Sequence, residues 1–112
     1  MEKENKGKLI FVDIDETICH YGTTRREGPT NYELAMPYLG RISKINKLYD
    51  EGNTIVYWTA RGSRTGINWY NLTITQLNVW KCKFHELRMG KPSYDLFIDD
   101  KNINSETFFK SN

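Results

Sequence analysis

Short uninterrupted runs of hydrophobic residues alternate along this chain with longer segments of helical periodicity. The runs are residues 9–12, Thr54 to Trp58, and Tyr94 to Ile98. β-Branched and aromatic residues dominate them, which predicts strands buried on both faces, as in a parallel sheet. Each run stops at polar side chains that cannot follow it into a core.

Two helices are predicted between these strands. The first runs from Met36 to Glu51, with Pro37 in its first turn and Gly52 just past its end. Its apolar face consists of Leu39, Ile42, Ile45, Leu48 and Tyr49. The second runs from Thr65 to Trp80. Its sheet-facing side is predicted to be Ile67, Tyr70, Ile74 and Leu77, and its water-facing side Asn68, Asn71 and Gln76.

The remaining segments carry weaker signals of secondary structure. Lys83 to Leu87 is an edge-strand candidate, and residues 20–30 form a polar loop broken by Gly22, Gly28 and Pro29. The tail has room for a short helix with Phe108 and Phe109 to bury. The order β-α-β-α-β-β with right-handed crossovers predicts an α/β fold: a three-layer α/β/α sandwich around a mostly parallel, doubly wound sheet.

Length and charge limit the classes of protein to which the chain can belong. With 112 residues, we expect one domain over residues 1–112, without a cap or second core. The net charge of +2 is spread along the chain, which argues against a nucleic-acid partner. The charged N-terminus and the lack of long apolar stretches predict a cytoplasmic protein with no membrane partner. Cys19 and Cys82 lack metal-ligand spacing and are predicted to be free thiols.

Polar residues at the strand ends are the candidates for chemistry. If the three runs lie parallel, Asp13, Asp15, Thr59, Asp99 and Asp100 meet at one edge of the sheet. Four carboxylates repel one another, which implies a bound divalent cation and a nearby basic residue such as Lys91. A DxD pattern alone is equally typical of a strand followed by an acidic turn.

The complete pattern resembles the haloacid dehalogenase superfamily of phosphohydrolases. Its four motifs are matched by Asp13-x-Asp15-x-Thr17, Thr59, Lys91 and Asp99-Asp100. The text from "YWTARG" to "GKPSYDLFIDD" is similar to small capless phosphatases of bacterial surface-polysaccharide pathways. The resemblance implies a magnesium-dependent phosphatase that acts on a small sugar phosphate through a phospho-aspartyl intermediate.

The resemblance also implies roles for single residues. Asp13 would be the nucleophile and Asp15 the acid and base. Thr59 and the amides beside it, with Ala60 and Arg61, would hold the phosphoryl group, and Lys91 would neutralise charge. Mg²⁺ would be held by Asp13, the carbonyl of Asp15, and an aspartate of the last motif, Asp100 in preference to Asp99. Phosphoryl transfer needs positioning and charge neutralisation most of all, and this set supplies both.

Several residues carry two interpretations. Arg61 is either a bidentate clamp for a substrate or an ordinary surface arginine. The other arginines near the motifs are predicted to be solvated: Arg25, Arg26, Arg64 and Arg88. His20 could line the entrance, and no ligand spacing joins it to His85 for zinc. The aromatics of the strand and helices are predicted to be packing residues.

Alternative functions stay open at this point. One is a phosphatase for a phosphoprotein or a nucleic-acid end, and another is a non-catalytic phosphate-binding or receiver-like module. A receiver would carry its phosphoacceptor where Thr59 stands. The abundance of aromatics also predicts a homo-oligomer whose contact surface includes the tail or the loop after Asp15.

Overall fold

The structure is a computed structural model, and it describes residues 7–22 and 31–110. The strands in these ranges are β1 (Leu9–Val12), β2 (Cys19–His20), β3 (Met36–Pro37), β4 (Thr54–Trp58) and β5 (Glu86–Arg88). The helices are α1 (Leu39–Asp50), α2 (Tyr70–Val79) and α3 (Ser105–Lys110), with a 3-10 turn at Tyr32–Leu34. The predicted strands at residues 9–12 and 54–58 and the short helix of the tail are therefore confirmed.

The main sheet is parallel and has the strand order β1-β4-β5. Val12 pairs with Tyr57, and Tyr57 in turn pairs with Leu87. The edge-strand candidate is confirmed in β5, which begins three residues later than the segment that indicated it. The chain is thus an α/β protein in which β4 is central and β1 is an edge strand.

The helix α1 begins later than predicted. Pro37 does not start the helix but pairs with Cys19 in the small β2-β3 ribbon. Ile42 and Ile45 are buried, as the periodicity predicted, and Gly52 has a φ of 101° just past the helix end. Glycine adopts this left-handed backbone without the steric cost that a Cβ brings.

The helix α2 also begins later than predicted, because Gly62 and Gly66 hold the preceding segment in turns. Leu77 is buried as predicted, whereas Ile67 and Tyr70 are exposed. Gln76, predicted to face water, is half buried; it accepts a hydrogen bond from the side chain of Arg61 and donates one to the backbone carbonyl of Tyr32. The orientation of this helix therefore depends on polar contacts as well as on its apolar periodicity.

One hydrophobic cluster joins the sheet to the helices. It contains Val12 of β1, Ile55 and Tyr57 of β4, Ile42 of α1 and Leu77 of α2. Alternate residues of a strand point to opposite faces, so α1 and α2 pack on the same face. This agrees with two right-handed crossovers that progress in one direction across the sheet. On the opposite face, Leu9 and Phe11 are exposed.

The predicted strand from Tyr94 to Ile98 does not form in the described chain. Every residue from 92 to 104 is exposed, and none is paired in either sheet. The run has the apolar pattern of a buried strand, but hydrophobicity indicates only that a segment must be covered, and not which surface covers it. We call residues 92–104 the arm.

None of the described helices is long and apolar enough to cross a membrane.

Candidate functional site

A tight turn after β1 places the two aspartates of the first motif. The carbonyl of Ile14 accepts hydrogen bonds from the amides of Thr17 and Ile18. The side chains of Ile14 and Ile18 are fully buried. Because the apolar residues of the turn enter the core, Asp13 and Asp15 are held at the carboxyl end of the sheet.

Asp13 lies beside Lys91, as the sequence predicted. The Nζ of Lys91 is 3.5 Å from the Oδ1 of Asp13, whose side chain is about one third exposed. Lys91 is fixed through its backbone, which donates to the carbonyl of Thr59 at 3.0 Å and accepts from the hydroxyl of Ser63 at 2.7 Å. Burial raises the pKa of Asp13, although the charge of Lys91 opposes that shift.

Asp15 is held by a buried arginine. The Nε and Nη2 of Arg61 donate to its two oxygens at 3.0 and 2.8 Å, and the hydroxyl of Tyr21 donates to Oδ1. Burial by itself raises the pKa of Asp15, but the hydrogen bonds and charge of Arg61 outweigh it, so the pKa is lowered. In this arrangement Asp15 is a carboxylate.

Arg61 is not a surface residue, so that interpretation is wrong. Its side chain is 0% exposed, and Nη1 donates to the hydroxyl of Thr73 and to the Oε1 of Gln76. The guanidinium also lies 4.7 Å from the ring centre of Tyr32. With four hydrogen bonds to protein groups, Arg61 acts here as a positioning residue for Asp15. The prediction that it clamps a substrate stays a prediction.

The segment after β4 holds Thr59, Ala60 and Arg61 in place. Thr59 is buried, and its hydroxyl oxygen accepts from the amide of Arg61 at 3.1 Å. Gly62 has a φ of 83°, and a Cβ there would lie 2.2 Å from the carbonyl oxygen of Ile67. Only glycine fits this close approach of two backbone segments.

Asp99 and Asp100 are not brought to Asp13. Both lie in the exposed arm, where Lys101 pairs with Asp100 at 3.3 Å. Among the residues that the structure describes, no three acidic, histidine or cysteine side chains gather to hold a metal. Mg²⁺ prefers six oxygen ligands, and the resemblance assigns it two carboxylates besides the carbonyl of Asp15. The described residues of one chain bring only one of the two, Asp13, to the site, so they do not complete the set of donors that the motifs imply.

Sequence reasoning missed the network around Arg61. Thr73 and Gln76 are three residues apart on α2 and face the guanidinium, and the amide of Gln76 also donates to the carbonyl of Tyr32. Cys19 lies beside Asp15, with its Sγ 3.4 Å from Oδ1. The sequence did contain one signal for this network. Thr73 and Gln76 are two polar residues at helical spacing on a helix that was predicted to pack against the sheet.

The remaining candidates lie away from this network. His20 packs on Tyr38, and the ring of His85 stacks on Tyr49. Arg88 pairs with Glu86 in the exposed part of β5. Cys82 is a free and buried thiol, as predicted, and so is Cys19 beside Asp15. Arg64 is exposed, as predicted, whereas Arg25 and Arg26 lie outside the described residues, as does most of the predicted loop at 20–30.

Neither of two cavities of the described chain is lined by Asp13. One of about 560 Å³ lies between α1 and α3, and one of about 140 Å³ borders Arg61 and Ser63. The side chain of Asp13 is about one third exposed, so the described residues leave the carboxylate that the sequence predicts to react partly open to solvent.

Comparison with known proteins finds a similar fold. A Vibrio cholerae protein, whose crystal structure was determined as a structural-genomics target, is 25% identical and matches with a TM-score of 0.79. The match covers 94% of this chain and 89% of that one. No protein-family description and no curated protein matches the chain.

Proposed function

We propose that this protein is a magnesium-dependent phosphomonoesterase of the haloacid dehalogenase type that acts on a small sugar phosphate. The observation that carries the proposal is the position of Asp13, 3.5 Å from Lys91 and next to the positioned carboxylate of Asp15. Three of the four sequence motifs meet at the carboxyl end of one sheet. The proposal includes a three-layer, capless fold, of which the described chain supplies a sheet and the helices on one face.

In the proposed reaction, an oxygen of Asp13 attacks phosphorus while the bond from phosphorus to the leaving oxygen breaks. Lys91 offsets the negative charge that gathers there. Asp15 gives a proton to the leaving oxygen. It then takes a proton from water, whose oxygen attacks phosphorus and releases phosphate and free Asp13.

The pairing of Asp15 with Arg61 bears on this cycle. A carboxylate with a lowered pKa holds no proton at neutral pH, so Asp15 has to exchange its contact with Arg61 before it can donate one. Substrate that draws Arg61 toward a phosphoryl oxygen would release Asp15 and raise its pKa. Binding and proton transfer are then linked through a single guanidinium.

The same pairing favours a second candidate function. A non-catalytic phosphate-binding module needs a neutralised Asp15 and no third metal ligand, which is the arrangement of the described chain. Such a module would bind phosphate near Lys91 and would release none from an ester.

Hydrolysis of an aryl phosphate in the presence of Mg²⁺ tests the first candidate. We expect turnover that excess chelator removes and that Asp13→Asn abolishes, with Asp50→Asn as the matched control because Asp50 pairs with Lys83 on the exposed end of α1. Turnover that survives in chelator would contradict the mechanism. A wild-type protein that binds phosphate and hydrolyses nothing would establish the binding module instead.

The aryl phosphate reports chemistry but not the natural substrate. A panel of phosphorylated sugars, phosphopeptides and 5′-phosphorylated oligonucleotides at equal concentration separates the candidates. We expect the highest kcat/KM for a sugar phosphate. A preference for the peptide or the oligonucleotide would replace that part of the proposal.

A further inference from the structure

The arm, residues 92–104, is an apolar segment without a covering surface in the described chain. Leu96 and Ile98 are 74% and 85% exposed, and Tyr94, Phe97 and Ile103 are exposed as well. Consecutive exposed apolar residues of this kind mark a site of association. The pattern of the run is that of a strand buried in a sheet.

Both ends of the arm are tied to the body of the protein. Lys91 is held by Thr59 and Ser63, and the hydroxyl of Ser105 lies 3.5 Å from the carbonyl of Glu16. Between these points, the contacts found for residues 95–103 in the described part of the chain lie within the arm. They are the ring contact of Tyr94 with Phe97 and the hydrogen bonds of Lys101 and Asn102 to Asp99, Asp100 and Phe97. The arm leaves the edge of the site and returns to it.

A complementary edge exists on the same molecule. β1 pairs with β4 on one side, and among the described residues no strand pairs with its other side. An open edge of this kind presents unpaired backbone donors and acceptors to a further strand. The outer side chains Leu9 and Phe11 are exposed next to it.

The arm matches that edge in parallel register. If Asp99 lies beside Asp13, Ile98 lies beside Val12 and Leu96 lies beside Ile10. Apolar residues of the arm then adjoin the side chains on the buried face of β1. Phe97 then adjoins Phe11 on the opposite face. A shift by one residue would exchange the two faces and set Asp99 beside Val12.

The arm of the same chain is too short to reach this position. Lys91 follows β5 and is bonded to Thr59 from that side, so Leu96 would have to cross three strand spacings, about 14 Å, and retreat four residues along β1, about 13 Å. The direct distance is about 19 Å, whereas the five residue steps from Lys91 span only about 17 Å when fully extended. The connection is therefore too short even before the detour around β1 and the turn that follows it.

We propose that two copies of this chain exchange arms, each adding residues 94–98 of its arm as a parallel strand along β1 of the other. The exchange is reciprocal, as a two-fold axis requires. It pairs the open edge of β1, covers Leu96 and Ile98, and brings Asp99 and Asp100 of one copy to Asp13 of the other. Each site is then built from two chains.

Charge supports this arrangement. Among the described residues of one chain, the carboxylate of Asp15 is neutralised by Arg61, and no third acidic side chain joins Asp13 and Asp15 to hold Mg²⁺. The arm of a second copy supplies two further carboxylates at the same edge, which gives the oxygen donors that a divalent cation needs. The interface stands on the geometry of the arm and β1, whereas the role of its aspartates rests on the proposed function.

Cysteine cross-linking tests the interface without reference to activity. Paired residues of adjacent strands lie about 5 Å apart, within the range of a disulfide. We expect co-expressed Phe11→Cys and Phe97→Cys chains, only one of them tagged, to give a disulfide between tagged and untagged chains. Leu39→Cys, exposed at the start of α1, replaces Phe11→Cys in the matched control and should give none. The native Cys19 and Cys82 are buried.

Other outcomes would overturn the exchange. A disulfide between two Phe97→Cys chains would show that arms pair with each other. A disulfide within the chain of the double variant would show that the arm reaches its own β1. Light scattering at the mass of a single 13.2 kDa chain would remove the second copy altogether.

Complementation then separates the interface from the function. Asp13→Asn and the double variant Asp99→Asn with Asp100→Asn should each be inactive alone. Co-expressed in equal amounts, half of the dimers are mixed and one site in each mixed dimer is intact, so about a quarter of wild-type activity should return. A cross-linked but inactive mixture, with wild type also inactive, would leave the arm exchange standing and contradict the proposed function. If wild type is active and the mixture is not, the arm aspartates do not act in the partner's site.

Discussion

At the scale of residues, the two aspartates of one motif are placed in opposite electrostatic situations. Burial raises the pKa of Asp13, whereas Arg61 lowers that of Asp15. The difference comes from which residue the arginine reaches, since both carboxylates lie at the end of the same strand. One carboxyl group whose charged form is poorly stabilised and a second whose charged form is well stabilised suit different chemical roles.

The buried pair of Arg61 and Asp15 should be essential to stability. Arg61→Met leaves Asp15 buried without its cation, which we expect to lower the free energy of unfolding by about 3 kcal/mol. Urea denaturation measures this. The double variant with Asp15→Asn should lose less than the sum of the two single variants, because the stranded charge is gone.

Arg88→Met is the matched control, because its pair with Glu86 is exposed to solvent. We expect its unfolding curve to overlay that of wild type. An Arg61→Met variant as stable as this control would show that the buried pair contributes nothing.

The raised pKa of Asp13 makes a second prediction at this scale. Its ordinary value is 3.8, and the folded value lies above it, so folding favours the neutral form. Stability from this group is present below the unfolded pKa and is lost as pH rises through the folded pKa. At pH 7, Asp13→Asn should therefore unfold at higher urea concentration than wild type.

The difference should shrink as the pH falls below 3.8, because the side chain at position 13 then becomes neutral in the wild type, as it always is in the variant. Asp50→Asn should show no such gain at pH 7. An Asp13→Asn variant that is less stable than wild type at pH 7 would mean that the attraction of Lys91 exceeds the effect of burial.

At the scale of elements, the segment between β4 and α2 positions the side chains of the site more directly than β4 or α2 does. Gly62 allows the backbone to pass Ile67, and this keeps Arg61 aimed at Asp15. The prediction that this helix begins at Thr65 was wrong, because the helix begins at Tyr70. A helix cannot begin until the chain has completed the turns at Gly62 and Gly66.

Two glycine substitutions separate these effects. Gly62→Ala forces a Cβ against the carbonyl of Ile67 and should lower the urea midpoint clearly. Gly40→Ala, in the first turn of α1 with open space around it, should leave the midpoint unchanged or raise it slightly through helix propensity. Equal midpoints for the two variants would contradict the role given to Gly62.

At the scale of the whole molecule, the arm determines what the folded unit is. In the proposed exchange, the open edge of β1 and the exposed apolar arm are two halves of one interface. If two copies unite them, thermal stability depends on concentration, because association stabilises only the folded state.

We therefore expect the wild-type unfolding temperature to rise with protein concentration over a hundredfold range. Ile98→Lys should abolish that dependence, since a charge cannot enter the buried face beside Val12. Val79→Lys, a change at an exposed apolar position on α2, should keep the dependence. A wild-type unfolding temperature independent of concentration would argue for a monomer.

The sequence by itself determined the elements whose signals are local. The strands β1 and β4 and most of α1 follow from runs and periodicity of apolar residues, since local chain geometry sets those periods. The meeting of Asp13 with Lys91 was also predicted from the sequence, because carboxylates gathered at one edge of a sheet require a basic residue nearby.

Only the tertiary structure decided which groups neutralise one another and where the last apolar run lies. Gln76 was predicted to face water, and Arg61 was either a substrate clamp or a surface residue, because the identity of a polar residue does not show whether it faces water or a buried carboxylate. Leu96 and Ile98 looked like core residues of their own chain. Hydrophobicity along a sequence shows that a strand must be covered, but the length of its connections decides which chain can cover it.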